Sequence, residues 1–482
     1  MTTDISAAFA QEERYAPGSV DAPQILEEWD GELLSHDPLD FDGYRVPDAA
    51  DESARTARVR LRDTEAVWID IDFRRQGGTM GSVAGERIVR AFDRAVALGL
   101  PVVETVSSGG ARLQEGMVSL VQMARTSSAV ARHRSAGLQS AAYLRSPSTG
   151  GVFASWASLA DVRAAEPAAI VGFGGPRVVA QVTGELPPKT SHTAESALVA
   201  GLVDAIVPLD EQWDWLAAAI GAATAPGVEL PLDRVRVPDS SPVPADDYEL
   251  LVRCRAAARA SGMEWAAWLT DSWVEIKGSD PAIRAGLATI DGRRVVVVAM
   301  DRHAGSRPKF LPSPAAFRLA QRAIDLSGRL GLPLLTLVDT PGADPSPSSE
   351  ADGIAGEIAR TLLSMADCRS ATVSLTVGEG GSGGAMALAH TDRMLMLEGS
   401  VFSVIGPEAG ATILHRDATR APELARKLGI VPQRLLAMGV VDVVLPEDVT
   451  TVRQAVSRAI AEASPGERDA RIDELTSRAL TA

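Results

Sequence analysis

The tripeptide Gly99-Leu100-Pro101 returns as Gly331-Leu332-Pro333, 232 residues further on, and its surroundings return with it. Before the first copy, Ile88, Val89, Phe92 and Val96 share one helical face that Gly99 stops. Before the second, Ser313 and Pro314 open a helix through Phe317, Ala320 and Ile324 that Gly331 stops. Each helix feeds a short apolar run, Val102 to Val106 and Leu334 to Val338, of the kind a two-sided parallel sheet buries, and each run breaks into a glycine-containing loop. Further along, Thr149-Gly150-Gly151-Val152 answers Ser382-Gly383-Gly384-Ala385 at a spacing of 233, Gly175-Pro176 answers Gly406-Pro407, and Gly201-Leu202-Val203-Asp204 answers Gly439-Val440-Val441-Asp442. Landmarks of unlike composition, in one order and at nearly constant spacing, point to a duplication. At 482 residues the chain is too long for one ordinary core, so two comparable α/β domains are expected.

The expected partition is an N-terminal tail over 1–30, a first domain over 31–225, a proline-rich linker over 226–247 and a second domain over 248–482. Each domain opens with a β-hairpin candidate, clearest where Asp291-Gly292 separates two apolar runs between Ala288 and Met300. Hydrophobic residues make up 46% and charged residues 23%, which suits packed cores rather than disorder. A net charge of -16 argues against nucleic acid and anionic membranes as partners. Two distant cysteines, Cys254 and Cys368, support neither a disulfide framework nor a thiolate zinc site. With no signal-like start and no apolar stretch of about 20 residues, the expectation is a cytoplasmic protein.

In each half a strand enters Gly-Gly and then a helix of small residues, SPSTGGVFASWA from Ser146 and VGEGGSGGAMALA from Val377. Backbone N–H groups at such a start have no intrahelical acceptor, and glycine lets a ligand approach them, so each turn is a candidate oxyanion hole. A second donor is expected from the loop after the preceding strand, at Gly109 to Ala111 and at Gly342 to Ala343. The second turn also fits G-x-S-x-G, with Asp392 and His415 following in order, but the first half has no matching acid and His, which disfavours a serine hydrolase. Six histidines without metal-ligand spacing give no reason to expect a catalytic metal. Gly172-Phe173-Gly174-Gly175 lacks the third glycine of a dinucleotide fingerprint and reads as an active-site, interface or packing loop.

These blocks resemble the carboxyltransferase component of bacterial acetyl-CoA carboxylase, β-subunit-like first and α-subunit-like second. The first half carries GGTMGSVAGERIVRA from Gly77, SSGGARLQEGMVSLVQMARTSSAVA from Ser107, TGGVFASWASLADVRAAEP from Thr149 and IVGFGGPRVV from Ile170. The second carries DTPGADP from Asp339, GEGGSGGAMAL from Gly378, FSVIGPEAGATIL from Phe402 and LGIVPQRLLAMGVVDVVLPE from Leu428. The resemblance implies a duplicated ClpP/crotonase fold and transfer of a carboxyl group from carboxybiotin, on a separate carrier protein, to the α-carbon of acetyl-CoA or another acyl-CoA. It implies Gly150 and Gly151 as catalytic at the thioester enolate, and Gly383, Gly384 and Ala385 at the ureido oxyanion of biotin. Substrate-binding positions would be Gly109, Gly110, Ala111, Arg112, Gly174, Gly175, Gly342, Ala343 and Gly406. Implied partners are acyl-CoA, a biotin carboxyl carrier protein, biotin carboxylase and a second copy in a homodimer.

Three features depart from that family. Where its β subunit usually starts with a four-cysteine zinc ribbon, this chain has the acidic EEWDGELLSHDPLDFDGY from Glu27, so no zinc is expected. The two subunits are fused, and the connection DRHAGSRPKFLPSP from Asp301 is short. The alternatives are a biotin-independent malonyl-thioester decarboxylase and a non-catalytic regulatory paralogue.

Overall fold

Runs buried on both faces form the central strands of two eight-stranded sheets, one in each half of the chain. A computed structural model describes residues 22–231, 234, 236–305 and 311–481. The first sheet contains β1 (Gln24–Trp29), β2 (Ala54–Leu61), β3 (Thr64–Ile71), β4 (Val102–Ser108), β5 (Ser140–Thr149), β6 (Val162–Ala165), β7 (Val171–Gly172) and β8 (Ala205–Ile206). Its order is β1-β2-β3-β4-β5-β6-β8, with β7 extending the end of β5. The second sheet contains β9 (Ser272–Ile276), β10 (Ile283–Ile290), β11 (Arg293–Met300), β12 (Leu334–Thr340), β13 (Thr372–Gly381), β14 (Arg393–Leu397), β15 (Val401–Ser403) and β16 (Val443–Leu445). It repeats the order as β9-β10-β11-β12-β13-β14-β16, with β15 on β13.

Both sheets begin with two antiparallel pairings and continue parallel. In the β10–β11 hairpin Asp291 and Gly292 both take positive φ, 50° and 75°, the two-residue turn that matches strand twist. Helix α1 (Ser82–Leu98) ends on Gly99 and the helix Pro314–Leu330 ends on Gly331, both glycines left-handed as the sequence signals require. Helix α2 (Met117–Ser135) packs on α1.

Residues 24–29, expected within an N-terminal tail, instead form edge strand β1 on β2. Ile25 and Trp29 alternate with polar residues too sparsely for the run to stand out as a strand. Residues 1–21 of that expected tail, 232, 233 and 235 of the linker, and 306–310 of the short connection lie outside the described residues. The linker is laid on the second half: Pro226 O accepts from Trp273 N (2.8 Å), Arg234 pairs with Asp301 (2.6 Å), and Val228 and Leu230 pack on that core.

The halves are joined by a shared apolar cluster that includes Val162, Leu216 and Ile220 from the first and Ile276, Phe317 and Ile324 from the second. Arginines of the helix Pro314–Leu330 cap it: Arg322 reaches buried Asp204 (2.9 Å) and Arg329 reaches Asp161. The second half repeats the two acids as Asp442 and Asp392, capped by Arg471 (2.6 Å) and Arg468 (3.1 Å) of the C-terminal helix Glu467–Thr481.

Candidate active site

Strand β5 runs directly into the short helix α3 (Gly150–Phe153), and the loop leaving neighbouring β4 turns across its start. Contact is backbone on backbone. A Cβ on Gly150 would stand 2.7 Å from Gly110 Cα, and Gly150 also has φ 64°, so only glycine fits there. Most N–H groups of the two loops are already used. Gly109 donates to Gly77 O (3.0 Å), Gly110 to Ser108 Oγ (3.0 Å), Arg112 to Met80 O (3.0 Å) and Gly150 to Phe173 O (2.9 Å). Among the described residues, Ala111 and Gly151 are left with N–H groups that meet no acceptor, and both are partly exposed. With four residues, α3 contributes little macrodipole; the two N–H groups themselves make this anion site.

The second half builds the same object. Gly342 N donates to Thr340 Oγ1 (3.2 Å) as Gly110 does to Ser108, and Asp344 N donates to Pro312 O (3.0 Å). Ala343 N is unspent among the described residues and faces the first turn of the helix Ser382–Ala389, lying 2.6 Å from where a Cβ on Gly384 would be. Both strands are ten residues long and both helices start immediately after them, so the true offset is 232. Thr149 therefore matches Gly381, Gly150 matches Ser382 and Gly151 matches Gly383, one residue away from the pairing read in the sequence. The backbone agrees: Ser382 has φ 55° where Gly150 has 64°.

The family of acetyl co-enzyme A carboxylase carboxyltransferase-like proteins matches residues 246–475. Acetyl-coenzyme A carboxylase carboxyl transferase subunits beta/alpha of Salinispora tropica is 41% identical over 416 residues, covering 81% of this chain and 74% of that protein. This chain belongs to the acetyl-CoA carboxylase carboxyltransferase family. A probable biotin-dependent acyl-coenzyme A carboxylase beta3 subunit of Mycobacterium tuberculosis is 34% identical, covering 87% of this chain and 86% of the relative. Transcarboxylase 12S, solved with methylmalonyl-coenzyme A and methylmalonic acid bound, superposes with a TM-score of 0.76 at 21% identity over 92% of this chain and 88% of its own. That likeness shows the fold, a duplicated crotonase-type α/β architecture.

Within this carboxyltransferase, the structure brings Gly109, Gly110 and Ala111 onto Gly150 and Gly151, and Gly342 and Ala343 onto Gly384, the residue after Gly383. Gly174 and Gly175 follow Phe173, whose carbonyl takes the Gly150 N–H, so this loop abuts the first turn. Gly406 caps the helix Pro407–His415 at the corresponding place, close to β13 through the β15 pairing. One expected site residue is otherwise employed. Arg112 is 1% exposed, with its guanidinium closed on Glu52 (2.5 Å) and Glu115 (3.1 Å), and does not face a substrate. Ala385 is buried at the fourth position of its helix, the first at which an N–H lies four residues beyond the N-cap carbonyl of Gly381.

The hydrolase alternative loses its acid, because Asp392 is held by Arg468 and by Thr372 N (2.9 Å). Ser382 sits at its sharp turn because the fold demands positive φ there in both halves. Asp339 and Met123 were not anticipated. Asp339 underlies the second turn, accepting from Glu379 N (3.2 Å) and pairing with Arg302 (3.2 Å); burial pushes its carboxyl up to about 6 against the pull of Arg302 and Arg259. Met123 of α2 lies against Gly151, its Sδ 3.0 Å from where a Cβ would be.

Proposed function

We propose that this chain moves a carboxyl group from carboxybiotin, presented on a separate carrier protein, to the α-carbon of acetyl-CoA or another acyl-CoA. The observation that carries the reading is the pair of matched turns with unspent N–H groups, among them Ala111 and Gly151 in the first and Ala343 and Gly383 in the second. In transfer, breaking the N–CO2 bond would leave negative charge on the ureido oxygen, the ureido nitrogen would take the α-proton as the charge passes to the thioester oxygen, and the α-carbon would then bond the released CO2. Two preorganised donor pairs stabilise those oxygens, and one such donor is typically worth about 2.7–4 kcal/mol. The first turn is assigned to the thioester and the second to biotin.

The family assignment and the biotin-dependent relative support biotin carboxyl carrier protein and biotin carboxylase as partners. A cytoplasmic location is consistent with the absence, among the described residues, of a helix long and apolar enough to cross a membrane. The first half and its N-terminal segment contain no cysteine, which supports a zinc-free carboxyltransferase. The domain limits proposed are 24–225 and 248–481, joined by the docked linker.

The test is an assay of the full chain with a carboxybiotin-loaded carrier and a panel of acyl-CoAs. Biotin-dependent appearance of the carboxylated thioester is expected. Release of CO2 from malonyl-CoA without any biotin protein, and no transfer, would instead establish the decarboxylase.

A further inference from the structure

Residues 30–53 cross the first half with neither helix nor strand of their own, held by side chains. Asp30 pairs with Arg90 (2.9 Å) and Arg94, and Arg87 donates to Ala54 O (2.8 Å), Leu33 O and Ala49 O (both 3.4 Å). The end of the segment enters the site loop. Glu52 and Ser35 meet the buried Arg112 guanidinium, which also donates to Thr79 O (3.0 Å), Thr79 Oγ1 (3.2 Å) and Glu115 (3.1 Å). Glu115 in turn accepts from Ser82 N (2.6 Å) at the start of α1 and from Tyr44 Oη (3.4 Å).

Every polar arm of Arg112 is therefore satisfied inside the protein, and Glu52, 60 positions away in sequence, supplies one of its two counter-charges. The spacing around the cluster is closed. A Cβ on Gly81 would fall 2.3 Å from Glu115 Oε1 and 2.8 Å from Arg112 Nη1, and one on Gly116 would fall 2.8 Å from Leu39 Cδ1. Arg112 directly follows Ala111, so the unspent Ala111 N–H hangs between the Met80 backbone bonds on one side and this cluster on the other.

We propose that residues 30–53 are a strap that fixes the Ala111 donor, with Glu52 as the positioning residue acting through Arg112. The strap rests on the reading that Ala111 and Gly151 serve the thioester oxygen. Displacing one donor weakens stabilisation made only in the transition state, so kcat falls while the acyl-CoA KM holds.

The experiment measures carboxyl transfer from malonyl-CoA to free biotin by the full chain carrying Glu52→Gln, Gly81→Ala or Leu39→Ala, with Glu52→Asp and Gly151→Val alongside. Expected are kcat losses of about 10- to 100-fold for Glu52→Gln and Gly81→Ala, an acyl-CoA KM within about threefold of wild type, and partial recovery in Glu52→Asp. If Glu52→Gln fails to fold, Gly81→Ala and Leu39→Ala carry the same prediction. Near-wild-type kcat in the folded variants beside an inactive Gly151→Val overturns the strap. Full activity of Gly151→Val overturns the donor reading beneath it.

Discussion

Glu104 lies on β4 with no exposure, and neither carboxyl oxygen has a hydrogen-bond partner among the described residues. The matching residue of the second half, Thr336, gives its hydroxyl to Leu388 O (2.6 Å). Burial, helped by nearby Asp161 and opposed by Arg163, pushes the Glu104 carboxyl well above the ordinary glutamate range, so the folded protein keeps this proton to higher pH than the unfolded chain does. Above the unfolded value of about 4.5 the unfolded chain loses this proton and the folded chain keeps it, so Glu104 lowers stability as pH rises. Glu104→Leu is expected to raise unfolding stability at neutral pH by about 1 kcal/mol or more and to flatten its decline with pH, read by urea unfolding between pH 5 and 8. Loss of stability at every pH would show that the carboxyl has a partner. The strand bearing Glu104 was legible from its apolar neighbours; its lone charge was not, because nothing local reveals which face of a two-sided sheet receives it.

At the scale of elements, the duplicated order of strands was readable because helix stops, buried strands and glycine turns are local signals repeated in one order. The pairing of Thr149 with Ser382 was one residue out, since both sequences offer consecutive small residues and only the common ten-residue length of β5 and β13 fixes the register. The correction pairs Gly151 with Gly383 rather than with Gly384. It also explains a serine at positive φ without invoking a nucleophile. Edge strand β1 escaped notice because an edge pairs on one side only and needs little apolar surface. Arg112 was misassigned for a related reason: an arginine in a glycine-rich loop invites a ligand, and its real partner, Glu52, is brought in by the course of the chain.

At the scale of the whole molecule, the two halves share a core and repeat a capping device with different helices: Pro314–Leu330 serves the first half and Glu467–Thr481 the second. Apolar side chains nevertheless stay on the surface around the first turn. Helix α4 (Pro176–Thr183) buries none of its residues, with Val182 80% exposed, and Met117, Leu120 and Val121 of α2 are also exposed. Such patches suit burial against a second copy. Sedimentation of the purified chain is expected to give twice the monomer mass, with Val182→Glu weakening the association; a monomer at micromolar concentration would contradict the homodimer.

The duplicated donor turns are tested most directly by Gly151→Val and Gly383→Val in the malonyl-CoA to biotin assay. Neither glycine has positive φ, and a Cβ on Gly383 comes no closer than 3.7 Å to Ile358, whereas one on Gly384 would strike backbone; folding should survive at 383. The account predicts a fall in kcat on the order of 10²-fold or more for each variant, with cooperative unfolding retained. Wild-type rates in both folded variants would contradict it.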